Sequence, residues 1–243
     1  MKNRAINFLR GVRELCFPSR CLSCTKRLDE TAILFCADCC GKLHFVKEPL
    51  CACCGRTFIG GENHFCSVCL DKPWFFSRAR AVFIYNDVIA KTIHALKYGG
   101  RKECLATFGK LKKEADPCLD LFQPDIILPV PLHAKRLRQR GFNQALLLAR
   151  VFYPEQKEKI DCDTFIRCLD TSPQTTLRGD ERRKNMTNAF SIIDPEKMKD
   201  KKIILIDDVF TTGTTVNECS RTLKKAGARE VQILTLARVR EDG

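Results

Sequence analysis

Beyond residue 76 the chain alternates short apolar runs with amphipathic stretches. Residues 79–85 (Ala-Arg-Ala-Val-Phe-Ile-Tyr) read as a strand, and Asn86 or Asp87 caps the helix that follows. Ile89, Ile93 and Leu96 give that helix one apolar face, and Gly99-Gly100 ends it just after Lys97. A second helix fits residues 102–115, and Pro117 and Pro124 bracket a loop. Ile126-Ile127-Leu128 predicts a short buried strand stopped by Pro129-Val130-Pro131; another helix runs from Asn143 to about Phe152. Residues 162–193 predict an irregular polar segment, of the kind that often serves as a lid or linker. Ile203-Ile204-Leu205-Ile206 is continuously apolar, the pattern of a strand buried on both faces. Asp207 and Asp208 stand at its carboxyl end. The stretch from Val209 to Thr215 opens a helix with Val216, Cys219, Leu223 and Ala226 on one face and Gly227 at its end. Thr215 and Glu218 have capping-box spacing. A last strand fits residues 231–237. This order predicts an α/β fold with a mainly parallel sheet flanked by helices.

The front of the chain is different. Ile6, Leu9, Val12 and Leu15 recur at helical spacing, while Arg4, Arg10 and Arg13 break up any apolar core of a secretion signal. Residues 1–20 therefore read as a short amphipathic helix docked on the protein, with a membrane-surface helix as the alternative. No apolar run approaches the ~20 residues of a bilayer span.

Cysteine then dominates. Of 16 cysteines, 11 lie between Cys16 and Cys69. Eight of these form four Cys-x-x-Cys pairs, Cys21/Cys24, Cys36/Cys39, Cys51/Cys54 and Cys66/Cys69, each beginning 15 residues after the last. A Cys-x-x-Cys knuckle places two sulfurs on one Zn²⁺, and two knuckles complete a closed tetrahedral site. Eight ligands imply two structural zincs. Sequential pairing closes the shorter loops and is preferred on entropy, although equal spacing also permits an interleaved cross-brace. Iron–sulfur ligation or redox dithiols are the competing readings. Cys40 and Cys53 adjoin ligands and compete with them, whereas His44 and His64 read as surface residues. With no signal peptide and so lopsided a distribution, metal thiolates in a reducing cytoplasm fit better than a secreted disulfide scaffold. The cysteines stop at residues 71–76, around Lys72-Pro73-Trp74, so the expected units are an amphipathic helix (1–20), a double zinc ribbon (21–75) and a larger domain (76–243).

Charge sharpens the picture without completing it. The formal net charge is +13, falling to roughly +9 once eight thiolates hold two Zn²⁺. The excess is +4 over residues 1–75, +7 over 76–145 and +2 over 146–243. Such a field attracts phosphates of any kind, free or in nucleic acid. In the central segment Lys135, Arg136, Arg138 and Arg140 crowd into six positions just after a predicted strand. The carboxyl ends of strands in open α/β sheets are where ligands bind. An anion site is preferred over a merely solvated helix entry, and these four cations are also the candidate contact for single-stranded DNA.

The stretch after Ile206 carries the chemistry. Small hydroxyl residues around Gly213 let backbone N–H groups close on a phosphate, and the helix N-terminus adds its positive end. Adjacent carboxylates accept hydrogen bonds from vicinal ribose hydroxyls. The arrangement fits a ribose 5-phosphate, with the diol at Asp207/Asp208 and the phosphate at Thr211, Thr212, Gly213, Thr214 and Thr215. Neither Gly-x-x-x-x-Gly-Lys nor a strand-borne Gly-x-Gly-x-x-Gly is present.

At these residues the chain resembles the type I phosphoribosyltransferases, which bind phosphoribosyl pyrophosphate (PRPP). Over roughly residues 21–238 it is similar to the ComF competence family. The four cysteine pairs resemble that family's double zinc ribbon, Pro129-Val130-Pro131-Leu132 with Arg140-Gly141-Phe142-Asn143-Gln144 its central motif, and Gln174 with Arg182 and Asn185 its mobile loop. The resemblance implies a type I phosphoribosyltransferase fold behind the ribbons. It implies ribose contacts from Asp207 and Asp208, phosphate contacts from Val209 and residues 211–215, and pyrophosphate contacts from Pro131 to Lys135. Arg178 or Arg182 would close over the ligand, and Mg²⁺ would be held mainly by substrate oxygens. The implied setting is DNA uptake during natural transformation; an orphan phosphoribosyltransferase, a PRPP pyrophosphohydrolase or a non-catalytic PRPP-sensing DNA-binding protein are the alternatives.

Overall fold

Four parallel strands form the central sheet in the order β1-β6-β5-β2. The computed structural model describes residues 20–28, 34–98, 104–169 and 189–240. The expected 1–20 helix, Gly99-Gly100 and the loop residues Gln174, Arg178, Arg182 and Asn185 lie outside them. In chain order the elements are α1 (Ala37–Cys40), α2 (Ser67–Asp71), β1 (Arg78–Ile84), α3 (Asp87–Tyr98), α4 (Cys104–Leu119), β2 (Ile126–Pro129), α5 (Ala134–Arg140), α6 (Gln144–Phe152), β3 (Phe165–Arg167), β4 (Phe190–Ile192), β5 (Lys202–Phe210), α7 (Thr214–Lys225) and β6 (Glu230–Arg238).

The apolar run at 203–206 behaves as its pattern predicts. All four side chains are fully buried, and the period of two sends them to opposite faces. Ile204 and Ile206 join Leu96, Phe108 and Leu148 on one face; Ile203 and Leu205 join Val216, Cys219 and Leu223 on the other. The ribbons divide the same way. Cys21, Cys36 and Cys39 pack in the first cluster, and Cys51, Cys54 and Cys66 in the second. Between the ribbons, the chain at His44–Val46 lies along the outer edge of β1, with Val46 N–H donating to Val82 O (3.0 Å) and Ile84 N–H to His44 O (2.8 Å). The edge is thereby covered against pairing with other chains.

Several local expectations are corrected. β5 does not stop at Ile206 but runs through both acids to Phe210, because β6 stays in register beside it (Asp207 opposite Thr235, Phe210 opposite Arg238). α4 continues two residues past Pro117, which therefore sits in its last turn, where the helix is about to end in any case. Residues 134–140 form a separate helix, α5, ahead of the one expected from Asn143: His133 caps it by accepting from Lys135 N–H, and Gly141 (φ 77°) ends it. The 162–193 segment contains a β3–β4 hairpin, with Phe165 and Phe190 stacked 5.5 Å apart. The Thr215/Glu218 capping box does not form. The N-cap of α7 is Gly213, and Glu218 instead binds Arg221 at 2.6 and 2.8 Å.

Candidate ribose-phosphate site and zinc centres

The carboxyl end of β5 sets the site. Asp208 is 6% exposed; its Oδ1 accepts from Val209 N–H (2.9 Å) and its Oδ2 pairs with the Lys97 ammonium. Lys97 comes from the last turn of α3, which Asn86 starts beside β1 by accepting from Ile89 N–H (3.1 Å). α3 therefore reaches from β1 to the end of β5. Asp207 Oδ1 accepts from Asp208 N–H (2.8 Å). Burial, and then the adjacent Asp208 carboxylate, push the Asp207 carboxyl up to about 8.

That shift has a pH consequence. The ordinary value of 3.8 applies to the unfolded chain, so the native state holds this proton more tightly. As pH rises from 3.8 toward 8, the unfolded state releases the proton first and stability falls. Asp207→Asn removes this slope. Relative to the parent, its melting temperature should climb steadily as pH rises from about 4 to about 8, with no further gain above about pH 8. A constant difference across that range would refute the raised carboxyl.

The phosphate loop follows at once. Gly213 takes φ 74°, and a Cβ there would stand 2.6 Å from the Phe210 ring and 3.2 Å from Trp74. Only glycine fits both the left-handed backbone and the close approach. The Thr212 and Thr214 hydroxyls lie 2.9 Å apart, Thr211 and Thr212 are exposed, and Thr214 and Thr215 begin the 12-residue α7. The first N–H groups of a helix lack intrahelical partners and bear partial positive charge. The turn thus offers donors to a phosphate a few residues beyond two carboxylates.

The neighbouring β2 end contributes its own walls. Val130 N–H donates to Ile206 O (2.9 Å), which seats Pro131 alongside the start of the Asp pair. Asn143 Nδ2 donates to Val130 O (3.0 Å), fixing this turn against α6. The basic run is split by its helix. Lys135 and Arg138, three apart, are exposed; Arg136 and Arg140, four apart, are half-buried. Arg140 is engaged already, donating to Gln144 Oε1 at 2.5 Å and lying 5.3 Å from the Tyr98 ring centre. Lys97 is the functional residue that sequence reasoning passed over. A lysine near a helix end is ordinary, and only its meeting with Asp208, more than a hundred positions away, marks it.

The cysteines form two separate groups, Cys21/Cys24/Cys36/Cys39 and Cys51/Cys54/Cys66/Cys69, with each group's sulfurs within 4.8 Å of one another. Pairing is therefore sequential. Sγ–Sγ distances of 3.6 Å (Cys24–Cys36), 3.7 Å (Cys51–Cys69) and 3.7 Å (Cys54–Cys66) match the ~3.8 Å edge of a tetrahedron with Zn–S near 2.3 Å. Four thiolates with no open position suit a structural ion. Cys40 and Cys53 belong to neither group, and burial pushes the Cys53 thiol up to about 12. His44 and His64 are surface residues, His64 stacking on Phe58 at 3.9 Å. Among the described residues no helix is long and apolar enough to cross a membrane.

Comparison with known proteins places these features. Residues 12–70 match the double zinc ribbon domain, and residues 168–243 match the phosphoribosyl transferase domain. The two cysteine groups are accordingly structural zinc sites, and the parallel sheet belongs to a phosphoribosyltransferase fold. The chain is 30% identical to competence protein F of Haemophilus influenzae over 224 residues, covering 84% of this chain and 96% of that one. It is 32% identical to the DNA utilization protein YhgH of Escherichia coli O157:H7, over 82% of this chain and 88% of that one. Competence protein ComFC of Bacillus subtilis is 29% identical, over 84% and 83% respectively. With identity to competence protein F sustained along nearly the full length of that protein, the chain belongs to the competence protein F family.

Proposed function

We propose that the chain binds PRPP with Mg²⁺ at the carboxyl ends of β5 and β2 and serves DNA uptake in natural transformation, in the cytoplasm, by handling single-stranded DNA. The observation that carries the ligand is the continuous order of paired carboxylates, left-handed Gly213 and the start of α7. Asp207 and Asp208 would take the ribose hydroxyls. Residues 211–215, with Val209 beside them, would take the 5-phosphate. Pro131 and Lys135 would flank the pyrophosphate. Lys97, paired with Asp208 Oδ2, would orient that carboxylate for the diol. Mg²⁺ would sit mainly on ligand oxygens. Arg182 would close over the ligand.

The chemistry such a site supports is cleavage of the C1–O bond of PRPP. Pyrophosphate leaves with the electron pair, and a nucleophile, a base nitrogen or water, adds at C1 and loses a proton. The protein's part is to orient the ribose, stabilise the charge on the leaving group and exclude water. The DNA role rests on the names of the relatives, competence protein and DNA utilization protein, together with the basic excess around α5.

Calorimetric titration with PRPP and Mg²⁺, followed by pyrophosphate release with and without single-stranded DNA, tests both parts. Saturable PRPP binding is expected. DNA affinity should fall with salt, and changing exposed Lys135 and Arg138 to alanine should flatten the log–log slope by about one unit, at ~0.7 per single-strand phosphate. An unchanged slope would move DNA off α5. No PRPP binding at millimolar concentration would end the ligand proposal.

A further inference from the structure

We infer that Trp74 and Arg238 are positioning residues through which the second zinc centre holds the 211–215 turn in its phosphate-accepting shape, an inference that rests on the phosphate reading of that turn. Both side chains bridge the same two places. Trp74 Nε1 donates to Cys69 Sγ (3.2 Å), and its ring forms the wall 3.2 Å from where a Gly213 Cβ would stand. Arg238 is 4% exposed. It donates to Cys54 O (2.5 Å), reaches Cys54 Sγ (3.6 Å) and lies 4.6 Å from the centre of the Phe210 ring. Phe210 is the other wall of Gly213. The contacts are tied in from both sides. Trp74 stacks on Phe76 (5.1 Å), which meets Phe210 edge-on, and Phe75 N–H donates to Asn217 Oδ1 (2.9 Å) in the first turn of α7.

The physical link is charge. A zinc ion held by four thiolates carries a net charge of −2, so Cys69 Sγ is a charged acceptor for the indole N–H and Cys54 Sγ a counter-charge for a buried guanidinium. Without zinc nothing holds the four sulfurs of the second ribbon together, so Cys69 Sγ and the Cys54 sulfur and carbonyl are no longer fixed where Trp74 and Arg238 meet them. An uncompensated guanidinium is costly to keep buried. Phe210 and Trp74 would then be released from Gly213 together. Linkage makes the effect mutual: whatever factor zinc adds to ligand affinity, the ligand adds to zinc affinity. The first ribbon packs in the other core cluster.

Trp74→Phe tests this, since it keeps an aromatic wall and removes only the donor at the sulfur. Hydrogen exchange of residues 209–216, read without ligand on protein confirmed to hold two zincs, should quicken about tenfold. PRPP·Mg²⁺ affinity should drop about five- to tenfold. In the parent, PRPP should slow the release of one zinc to a chromophoric chelator, and in Trp74→Phe it should not. Arg238→Lys, which keeps the charge but loses the guanidinium fork, should shift exchange in the same direction. Trp74 is the single tryptophan, so stripping zinc should also shift the emission of the parent. Unchanged exchange at 209–216 in both variants would overturn the inference, whatever the ligand. Failure of the parent to bind PRPP would instead overturn the phosphate reading, leaving exchange to decide this one.

Discussion

Cys51→Ser should lower the zinc content from two ions to one and unfold much more than a small ribbon. Structural zinc sites in finger peptides bind with apparent free energies of ~10–16 kcal/mol, and that binding is folding energy. Whole domains are stable by only ~5–15 kcal/mol. Cys51 is fully buried, and its ribbon shares a core with Leu128, Ile203 and Leu205 of the sheet. Ala79 N–H, inside β1, donates to Cys53 O (2.7 Å). Gly55 (φ 73°) would place a Cβ 2.5 Å from Ala79 O, so the ribbon backbone sits directly on the strand. Loss of the ion should therefore appear as reduced helical circular dichroism and a melting transition lowered by well over ten degrees, or absent, since ~1 kcal/mol moves a chain of this size by ~2–4 °C. Elemental analysis gives the zinc count. A variant that still carries two zincs, or melts within a degree or two of the parent, would refute the assignment of the second centre.

Gly213→Val should abolish the rise in melting temperature that PRPP with Mg²⁺ confers on the parent. A ligand at a hundredfold its Kd stabilises the native state by ~2.7 kcal/mol, roughly 5–11 °C here. Valine at φ 74° would be strained and would meet Phe210 at 2.6 Å, so the turn must open and its N–H groups lose their convergence. The pair Asp207→Asn with Asp208→Asn should weaken the same ligand by another route. Hydrogen bonds to charged groups are worth ~1.5–3 kcal/mol each and neutral ones ~1 kcal/mol, so with Asp207 holding its proton below about pH 8 a loss of affinity of roughly fiftyfold or more is expected for the pair. Differential scanning fluorimetry at fixed PRPP·Mg²⁺ reads both. If Gly213→Val keeps the full ligand-induced shift, the phosphate is bound elsewhere.

How far the sequence carried these conclusions depended on where each signal lay. The zinc centres were legible because four pairs repeat at a fixed period and ligate locally. The β5–turn–α7 unit was legible because apolar run, acids, glycine and helix face are consecutive. What failed depended either on distant partners or on competing local contacts. Whether a strand stops at Ile206 or continues to Phe210 is decided by β6, not by residues 207–210, whose two acids interrupt the apolar run. Arg221, one turn further along α7, outcompeted the backbone for Glu218 and undid an apparent capping box. The Lys135–Arg140 run was read from its charge, whereas His133 and Gly141, which cap it as a helix, carried the structural information. Lys97 and Arg238 acquire their roles from acids and thiolates found over a hundred positions away in the chain.

The strand order has an outcome for how the molecule comes into being. β6 is last in the chain yet lies inside the sheet, between β1 and β5. Until residues 230–238 leave the ribosome, β1 and β5 have no shared neighbour, and the aliphatic run at 203–206 lacks the strand that pairs with one of its sides. The ribbons, whose ligands are all made by residue 69, can close on zinc during synthesis. The nascent larger domain, by contrast, must wait with β5 unpaired on one side, and it closes by inserting residues 230–238 between two strands already made.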